Sequence, residues 1–303
     1  FPHKIQDILD TTDETGHTTM VPISYDYRLS NLCNFKCRMC GDQLSSSWEA
    51  ENKKHLIVTD AWLQPNTRRK ISNFQVEVLE EELQAAVDQG VIEEIYWVGG
   101  EPLMWERHWT IMQQLVDSGQ SKDVTIRYNT NLSRTKYKNY DLYNMLDNFK
   151  KVNICASIDG IGDIGEYIRT GLKWDEFLTN FYDGMFLIDR YGDDAIVFDV
   201  TFAYAFDPSK IVAPTALPKS ILVPYCQELI EYMEPRKTWK TQVYIDSLKS
   251  LMKRKSFDEE YPDYKEGLKR GKNQILFLEK IREQSLTFRD ILNEPAKEWW
   301  DGI

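Results

Sequence analysis

The sequence predicts an α/β protein built on parallel strands, an α/β barrel or an open part of one, followed by a helical extension. Three observations carry this. Over residues 23–204 short apolar runs alternate with stretches of helical periodicity, and strands separated by helices pair in parallel through right-handed crossovers. The chemistry-bearing motifs fall at the C-terminal ends of those strands, where such folds place their sites. Beyond Tyr204 the alternation stops: Pro208, Pro214 and Pro218 crowd one segment, and the rest is charged and helical in pattern.

In chain order, a first strand is expected over 23–29, followed by a cysteine-rich loop and a polar stretch through Asn66. In that stretch Ser45-Ser46-Ser47-Trp48 reads as the cap of a helix. Ser72, with Gln75 three residues on, resembles a capping box opening a helix with the apolar face Phe74, Val78, Leu79, Leu83 and Val87, closed by Gly90. A buried strand over 92–98 ends at Gly99-Gly100-Glu101-Pro102. Then come a helix at 107–116, a strand at 124–129, a helix at 137–149, a strand at 152–158, a helix at 174–189 and a strand at 196–204. On the strand at 152–158 the alternation puts Asn153, Cys155, Ser157 and Asp159 on one face, expected to look into the barrel, and Ile154, Ala156 and Ile158 on the other. Helices are expected at 225–233, 238–253 and 274–284. There is no clear repeat or low-complexity tract.

Bulk properties exclude some classes of function. A net charge of −11 over 303 residues argues against a nucleic-acid surface, which needs a basic stripe to neutralise phosphates. The short clusters Arg68-Arg69-Lys70 and Lys253-Arg254-Lys255 read as solvated helix faces. No apolar run is long enough for a membrane span. Five cysteines, with Cys155 and Cys226 left unpaired by the pattern below, suit a reducing compartment, and the cytoplasm is the expected location. The four histidines show no ligand spacing, and His108 is expected on a helix surface. Cys155 and Cys226 read as small buried residues. The chain opens at Phe1 rather than Met, which leaves room for an upstream segment.

Cys33, Cys37 and Cys40 carry most of the functional information. Three thiols within eight residues do not make a disulfide framework, whereas thiolates are soft ligands for iron–sulfur clusters, zinc or copper(I). Structural zinc sites usually come as two pairs, and the sequence has no further Cys-x-x-Cys or His-x3–5-His, which leaves a zinc site completed by a distant Cys or His as the alternative. A four-iron cluster takes one ligand per iron. Three cysteines would leave one iron open.

The spacing Cys-x3-Cys-x2-Cys on a loop after a strand resembles the signature of the radical S-adenosylmethionine (radical SAM) enzymes. The resemblance implies a partial (β/α)6 TIM-like barrel of parallel strands with a C-terminal helical extension. Its sixth strand is either the short stretch 210–216 without its crossover or lies in residues that the sequence lacks. It further implies residues 1–22 as an N-terminal extension, 23–206 as the core barrel and 207–303 as the Pro-containing segment and helical region. The cofactors implied are a [4Fe-4S] cluster held by Cys33, Cys37 and Cys40, and S-adenosylmethionine chelating the open iron. Reductive cleavage would give a 5′-deoxyadenosyl radical that abstracts hydrogen from a substrate, with a reductase or flavodoxin-type protein as electron donor.

For the cofactor contacts, Gly99, Gly100, Glu101 and Pro102 look like the family's Gly-Gly-Glu motif, with glycines that let backbone approach a ligand and a carboxylate for its ammonium group. Ser157 and Asp159 resemble the ribose-contacting pair. Arg169 resembles the arginine that meets the methionine carboxylate, a task suited to a planar donor. Asn129 sits where relatives keep polar residues facing the cofactor, and Met39 where they usually carry an aromatic residue against adenine. Asn131 is read as a turn residue. The wording Cys-Asn-Phe-Lys-Cys-Arg-Met-Cys and Ser-Ile-Asp-Gly is similar to the SPASM/twitch-associated branch, so a peptide or protein side chain is the expected substrate, with the C-terminal helices read as an acidic docking face for a basic peptide. A nucleoside or other small metabolite is the alternative. The rival from another class is a non-catalytic zinc- or cluster-binding interaction module.

Overall fold

The computed structural model describes all residues except Leu29, 58–64, 201–213 and Lys237. Its contacts divide the chain into two compact units, Phe1–Val200 and Thr201–Ile303. The expected boundary at 206/207 falls outside the described residues.

The first unit begins with α1 (Ile5–Thr11), β1 (Ser24–Tyr27), β2 (Lys36–Cys37), α2 (Ser46–Lys54), α3 (Pro65–Phe74), α4 (Glu81–Gln89) and β3 (Glu94–Trp97). It continues through α5 (Glu106–Asp117), β4 (Thr125–Thr130), β5 (Lys136–Tyr137), β6 (Tyr140–Asp141), α6 (Leu142–Leu146) and β7 (Lys151–Ile158). Helix α7 (Gly162–Ile168), β8 (Arg169–Thr170), α8 (Trp174–Asp183), α9 (Leu187–Tyr191) and β9 (Ile196–Val200) complete it. Five strands form one parallel sheet in the order β1-β3-β4-β7-β9. This is an open parallel sheet of the mixed α/β kind, consistent with part of a TIM-like barrel. No closed barrel is formed by the described residues. A sixth strand expected at 210–216 lies mostly outside them, and Pro214–Ala216 is a 3₁₀ turn.

Register explains the two faces of the sheet. Ile95, Ile126 and Val152 are aligned across β3, β4 and β7, as are Trp97, Tyr128 and Ile154, and all six are buried. Helices α4, α5, α6 and α8 cover this face with Leu83, Trp109, Met112, Leu146 and Phe177, which join the same core. Burying each such side chain contributes about 1.5–3 kcal/mol. The opposite face carries Tyr96, Arg127, Asn129, Asn153, Cys155, Ser157 and Asp199, none of them fully buried. Its charges are internally matched: Arg127 lies 4.7 Å over the Tyr96 ring and 4.0 Å from Glu94.

Three expected elements differ. Ser72 does not start a helix, because α3 already runs from Pro65, a residue suited to a first turn. A π-helical turn, Gln75–Glu80, joins α3 to α4. Its wider turn shifts the side-chain phase, which puts Phe74 and Val78 on the exposed side while Leu83 and Val87 stay buried. The helix expected over 137–149 shrinks to α6, since Lys138 takes a positive φ of 51° and a β5–β6 hairpin forms ahead of it. The helix expected over 174–189 breaks at Gly184, whose Cα packs so closely on the Tyr143 ring that a Cβ would lie 2.6 Å from it.

The second unit contains α10 (Lys219–Met233), α11 (Trp239–Lys253), α12 (Phe257–Glu260), α13 (Tyr264–Arg282) and α14 (Glu294–Asp301). Thr238 and Thr241 form a reciprocal capping box at the start of α11. Cys226 is buried with Leu222, Leu248 and Leu251. Lys272 ties α13 to α14 by donating to the Trp300 carbonyl at 2.7 Å with its ammonium over the indole. Residues 214–303 carry nearly equal numbers of basic and acidic side chains, so their net charge lends no support to the acidic docking face expected there. Among the described residues no helix is long and apolar enough to cross a membrane.

Candidate cluster and cofactor site

The cysteine loop is held from one side by the start of α2. Ser45 caps that helix by accepting from Trp48 N, and its hydroxyl also donates to the Phe35 carbonyl at 2.6 Å. Ser47 donates to the Cys33 carbonyl at 2.8 Å, and the Trp48 indole N–H donates to the Cys37 carbonyl at 2.8 Å. Ser46 accepts from Cys33 N and donates to the Cys33 carbonyl, both at 3.1 Å. Three carbonyls of the loop are thereby directed into α2. That leaves the Phe35 amide aimed at Cys33 Sγ at 3.5 Å.

From the other side the loop is laced to the segment after α7. Strand β2 pairs antiparallel with β8, which sets Cys37 opposite Arg169. Arg38 stacks its guanidinium 3.8 Å over the Tyr167 ring and donates to the Tyr167 carbonyl at 3.2 Å. Gly171, with φ of 113°, lets the backbone pass Phe35 where a Cβ would sit 2.9 Å from its ring.

These contacts set the electrostatics of the thiols. Burial pushes the Cys33 thiol up to about 11, so Cys33 binds a metal ion only by giving up its proton. Cys37 and Cys40 are hydrogen-bonded to one another, which raises Cys37, further raised by burial, and lowers Cys40. The Arg169 charge favours the thiolate at both. Arg169 Nε also lies 2.6 Å from Asp159 Oδ2. This nearly buried ion pair joins two residues expected to contact the cofactor separately.

The Gly-Gly-Glu turn supplies the third wall. Gly99 and Gly100 have φ of 85° and 54°, and a Cβ on Gly100 would lie 2.6 Å from the carbonyl oxygens of Ser30 and Leu32. What these glycines approach is therefore the backbone that enters the cysteine loop. Glu101 N seals the junction by donating to the Leu32 carbonyl at 2.7 Å. The Glu101 carboxylate is buried and accepts from Leu103 N at 3.1 Å, Thr130 Oγ1 at 2.7 Å and Asn131 N at 2.6 Å. Burial raises its pKa against those donors. A carboxylate has about four acceptor positions, so one remains for a further donor.

The structure thus gathers Cys33, Cys37, Cys40, Asp159, Arg169 and Glu101 around one loop. Met39 packs on the edge of the core beside them, and Pro102 opens a buried 3₁₀ turn. Asn129 belongs to a different network on the open sheet face, where it accepts from Tyr96 at 2.7 Å and donates to Asp199 at 3.1 Å. Ser157 lies on that face in register with Asp199.

Sequence reasoning missed Thr130, read Asn131 as a turn residue although both contact Glu101, and missed Asn34, which donates to Ser133 Oγ at 2.9 Å. The polar end of β4 was a signal for Thr130 and Asn131. It also misplaced His108. That ring is fully buried, hydrogen-bonds to Tyr128 at 2.7 Å and lies edge-on between Trp97 and Trp109, because the face of α5 that carries it turns towards the sheet.

A model of the radical SAM superfamily matches residues 27–182, just over half of the chain. The chain belongs to the radical SAM superfamily. No curated protein matches it. Proteins of this superfamily are enzymes of radical chemistry that use a [4Fe-4S] cluster and S-adenosylmethionine, and they generally need a reductant to supply electrons. The radical SAM cofactors suit the residues present: three thiols on one loop, two buried and one partly buried, an amide aimed at sulfur and a cation that favours thiolates. Among the described residues no three His, Cys, Asp or Glu side chains converge on a single ion, an arrangement that a cube taking one thiolate per iron does not require.

Proposed function

We propose that this radical SAM enzyme abstracts a hydrogen atom from a peptide or protein side chain, with Cys33, Cys37 and Cys40 holding the cluster. Bound there, the cluster and S-adenosylmethionine supply the 5′-deoxyadenosyl radical, and the protein orients them and excludes competing reactions. The observation that carries the reading is the convergence of Arg169 and Glu101 on the cysteine loop. Arg169 favours the thiolate forms of Cys37 and Cys40 and offers its fork to a carboxylate. Glu101, fixed by Thr130 and by the amides of Leu103 and Asn131, offers its remaining acceptor position to an ammonium group. Asp159 and Ser157 are assigned to the ribose, Met39 to the adenine edge, and Gly99, Gly100 and Pro102 to the turn that places Glu101. Asn129 is assigned to the open sheet face beside them. Residues 23–206 form the catalytic core in this reading, flanked by 1–22 and 207–303.

The peptide substrate and the SPASM/twitch kinship are supported by the wording of the cysteine and Ser-Ile-Asp-Gly segments. A flavodoxin-type protein is the proposed electron donor and the cytoplasm the proposed location, in keeping with unpaired thiols.

Anaerobic reconstitution tests the centre of this. The expected result is about four irons per chain with conversion of S-adenosylmethionine to 5′-deoxyadenosine, both abolished by alanine at Cys33, Cys37 or Cys40. One zinc per chain and no cofactor cleavage would favour the interaction module instead. Mass spectrometry of candidate peptides and nucleosides incubated with the reduced enzyme then separates the two substrate classes.

A further inference from the structure

Asn131 touches both halves of the site. Its backbone N–H donates to Glu101 Oε2 at 2.6 Å. Its side-chain Oδ1 accepts from Ser133 N at 3.0 Å, and its Nδ2 lies 3.0 Å from Asn34 Oδ1 and 3.9 Å from Cys33 Sγ. The network fixes the orientation of the amide, because a backbone N–H occupies the oxygen and the NH₂ end must face Asn34 and the sulfur. Asn34 is itself tied back to Ser133 Oγ at 2.9 Å, which closes a ring of three residues through the Ser133 backbone N–H. Asn131 is 6% exposed. Water therefore competes little for its second N–H, and Cys33 Sγ is the acceptor within reach.

Hydrogen bonds to the ligand sulfurs withdraw negative charge from an iron–sulfur cluster and are one of the means by which a protein sets its reduction potential. Among the donors to Cys33 are Phe35 N from its own loop and Asn131 Nδ2 from the end of β4, beside the Ser45 hydroxyl. The first belongs to the backbone and cannot be removed by substitution. The second can.

We infer that Asn131 is a positioning residue that raises the reduction potential of the cluster through its amide donor to Cys33, while its backbone holds Glu101 in place; this rests on the reading of Cys33 as a cluster ligand. An enzyme whose cluster must accept an electron before it acts depends on that potential. Loss of the donor leaves more charge on the thiolate and disfavours the reduced state.

The test is a redox titration followed by electron paramagnetic resonance on the anaerobically reconstituted full chain, without S-adenosylmethionine. Asn131→Asp keeps the shape and the acceptor for Ser133 N but removes the N–H; because it also adds a negative charge, its shift counts for the inference only together with that of Asn34→Ala, which adds none. The expected result is four irons per chain as in the wild type, a more negative midpoint, and a several-fold smaller reduced fraction at a fixed applied potential. Asn34→Ala, which frees the Asn131 amide without touching it, should shift the midpoint the same way by less. An unchanged midpoint in four-iron Asn131→Asp overturns the inference and leaves the cluster assignment standing. Should that variant hold no cluster, an unchanged midpoint in Asn34→Ala overturns it, and so does loss of the cluster in both, which would make the pair structural. A wild type that takes up no four-iron cluster removes the assignment of Cys33 itself.

Discussion

At Gly100 a single hydrogen atom decides whether the site can form. The residue sits at φ of 54° against the carbonyls of Ser30 and Leu32, two backbone atoms that cannot move without pulling the cysteine loop. Gly100→Ala combines the strain of a left-handed backbone with a clash, at a cost of roughly 2–4 kcal/mol. The expected outcome is a lower melting temperature together with poorer iron retention, and a variant with both unchanged would show that the turn is not braced this way. His108 makes a prediction about pH. Burial lowers its pKa from 6.5 to about 3, so over that interval the unfolded chain binds a proton that the native state refuses. Stability from this residue is therefore complete above the unfolded value and falls as pH drops, by up to about 1.4 kcal/mol per pH unit. Urea unfolding of iron-free protein at pH 7, 6 and 5 should show a steeper decline for the wild type than for His108→Leu.

At the scale of elements, the cysteine loop has little regular structure of its own and takes its shape from α2 and β8. Four consecutive side chains, Ser45 to Trp48, direct three loop carbonyls away from the thiols. Ser45 serves twice, as N-cap of α2 and as donor to Phe35 O. Ser45→Ala should cost about 1–2 kcal/mol for the two bonds and slow cluster reconstitution, followed as the rise of the iron–sulfur absorbance. Equal reconstitution rates would confine Ser45 to a capping role. The sequence announced the cap through its serine run, but not the second bond, because an N-cap is a local pattern and the Phe35 carbonyl is met only once the loop has folded back. The same distinction explains α3 and α4. Apolar spacing showed that a helix exists there, while the π-helical turn that rotates Phe74 and Val78 to the outside depends on how α4 seats on the sheet.

Across the whole molecule, the two compact units have separate cores, one around the sheet and α4, α5, α6 and α8, the other containing Leu222, Cys226, Leu248 and Leu251. The three thiols of the cysteine loop belong to the first. Removing iron with a chelator under anaerobic conditions should therefore raise hydrogen exchange in residues 30–48 and 169–171, while α10, α11 and α13 keep their protection. Uniform loss of protection in both units would contradict this division.

The residues by themselves determined the chemistry class and the succession of strands and helices along the core. Thiolate spacing is a property of covalent sequence, and alternation of strand and helix follows from periodicities of 2 and 3.6. Only the tertiary structure decided which side chains meet: Asp159 with Arg169, Arg169 with Cys37, Asn131 with both Glu101 and Cys33, and His108 sealed in the core. These pairs join residues ten or more positions apart, most of them far more, and a polar residue at a strand end carries no mark of its partner. Packing selects that partner when β4, β7 and β8 bring their ends to the same loop, because a buried donor or charge left without one would cost more than the fold can spare.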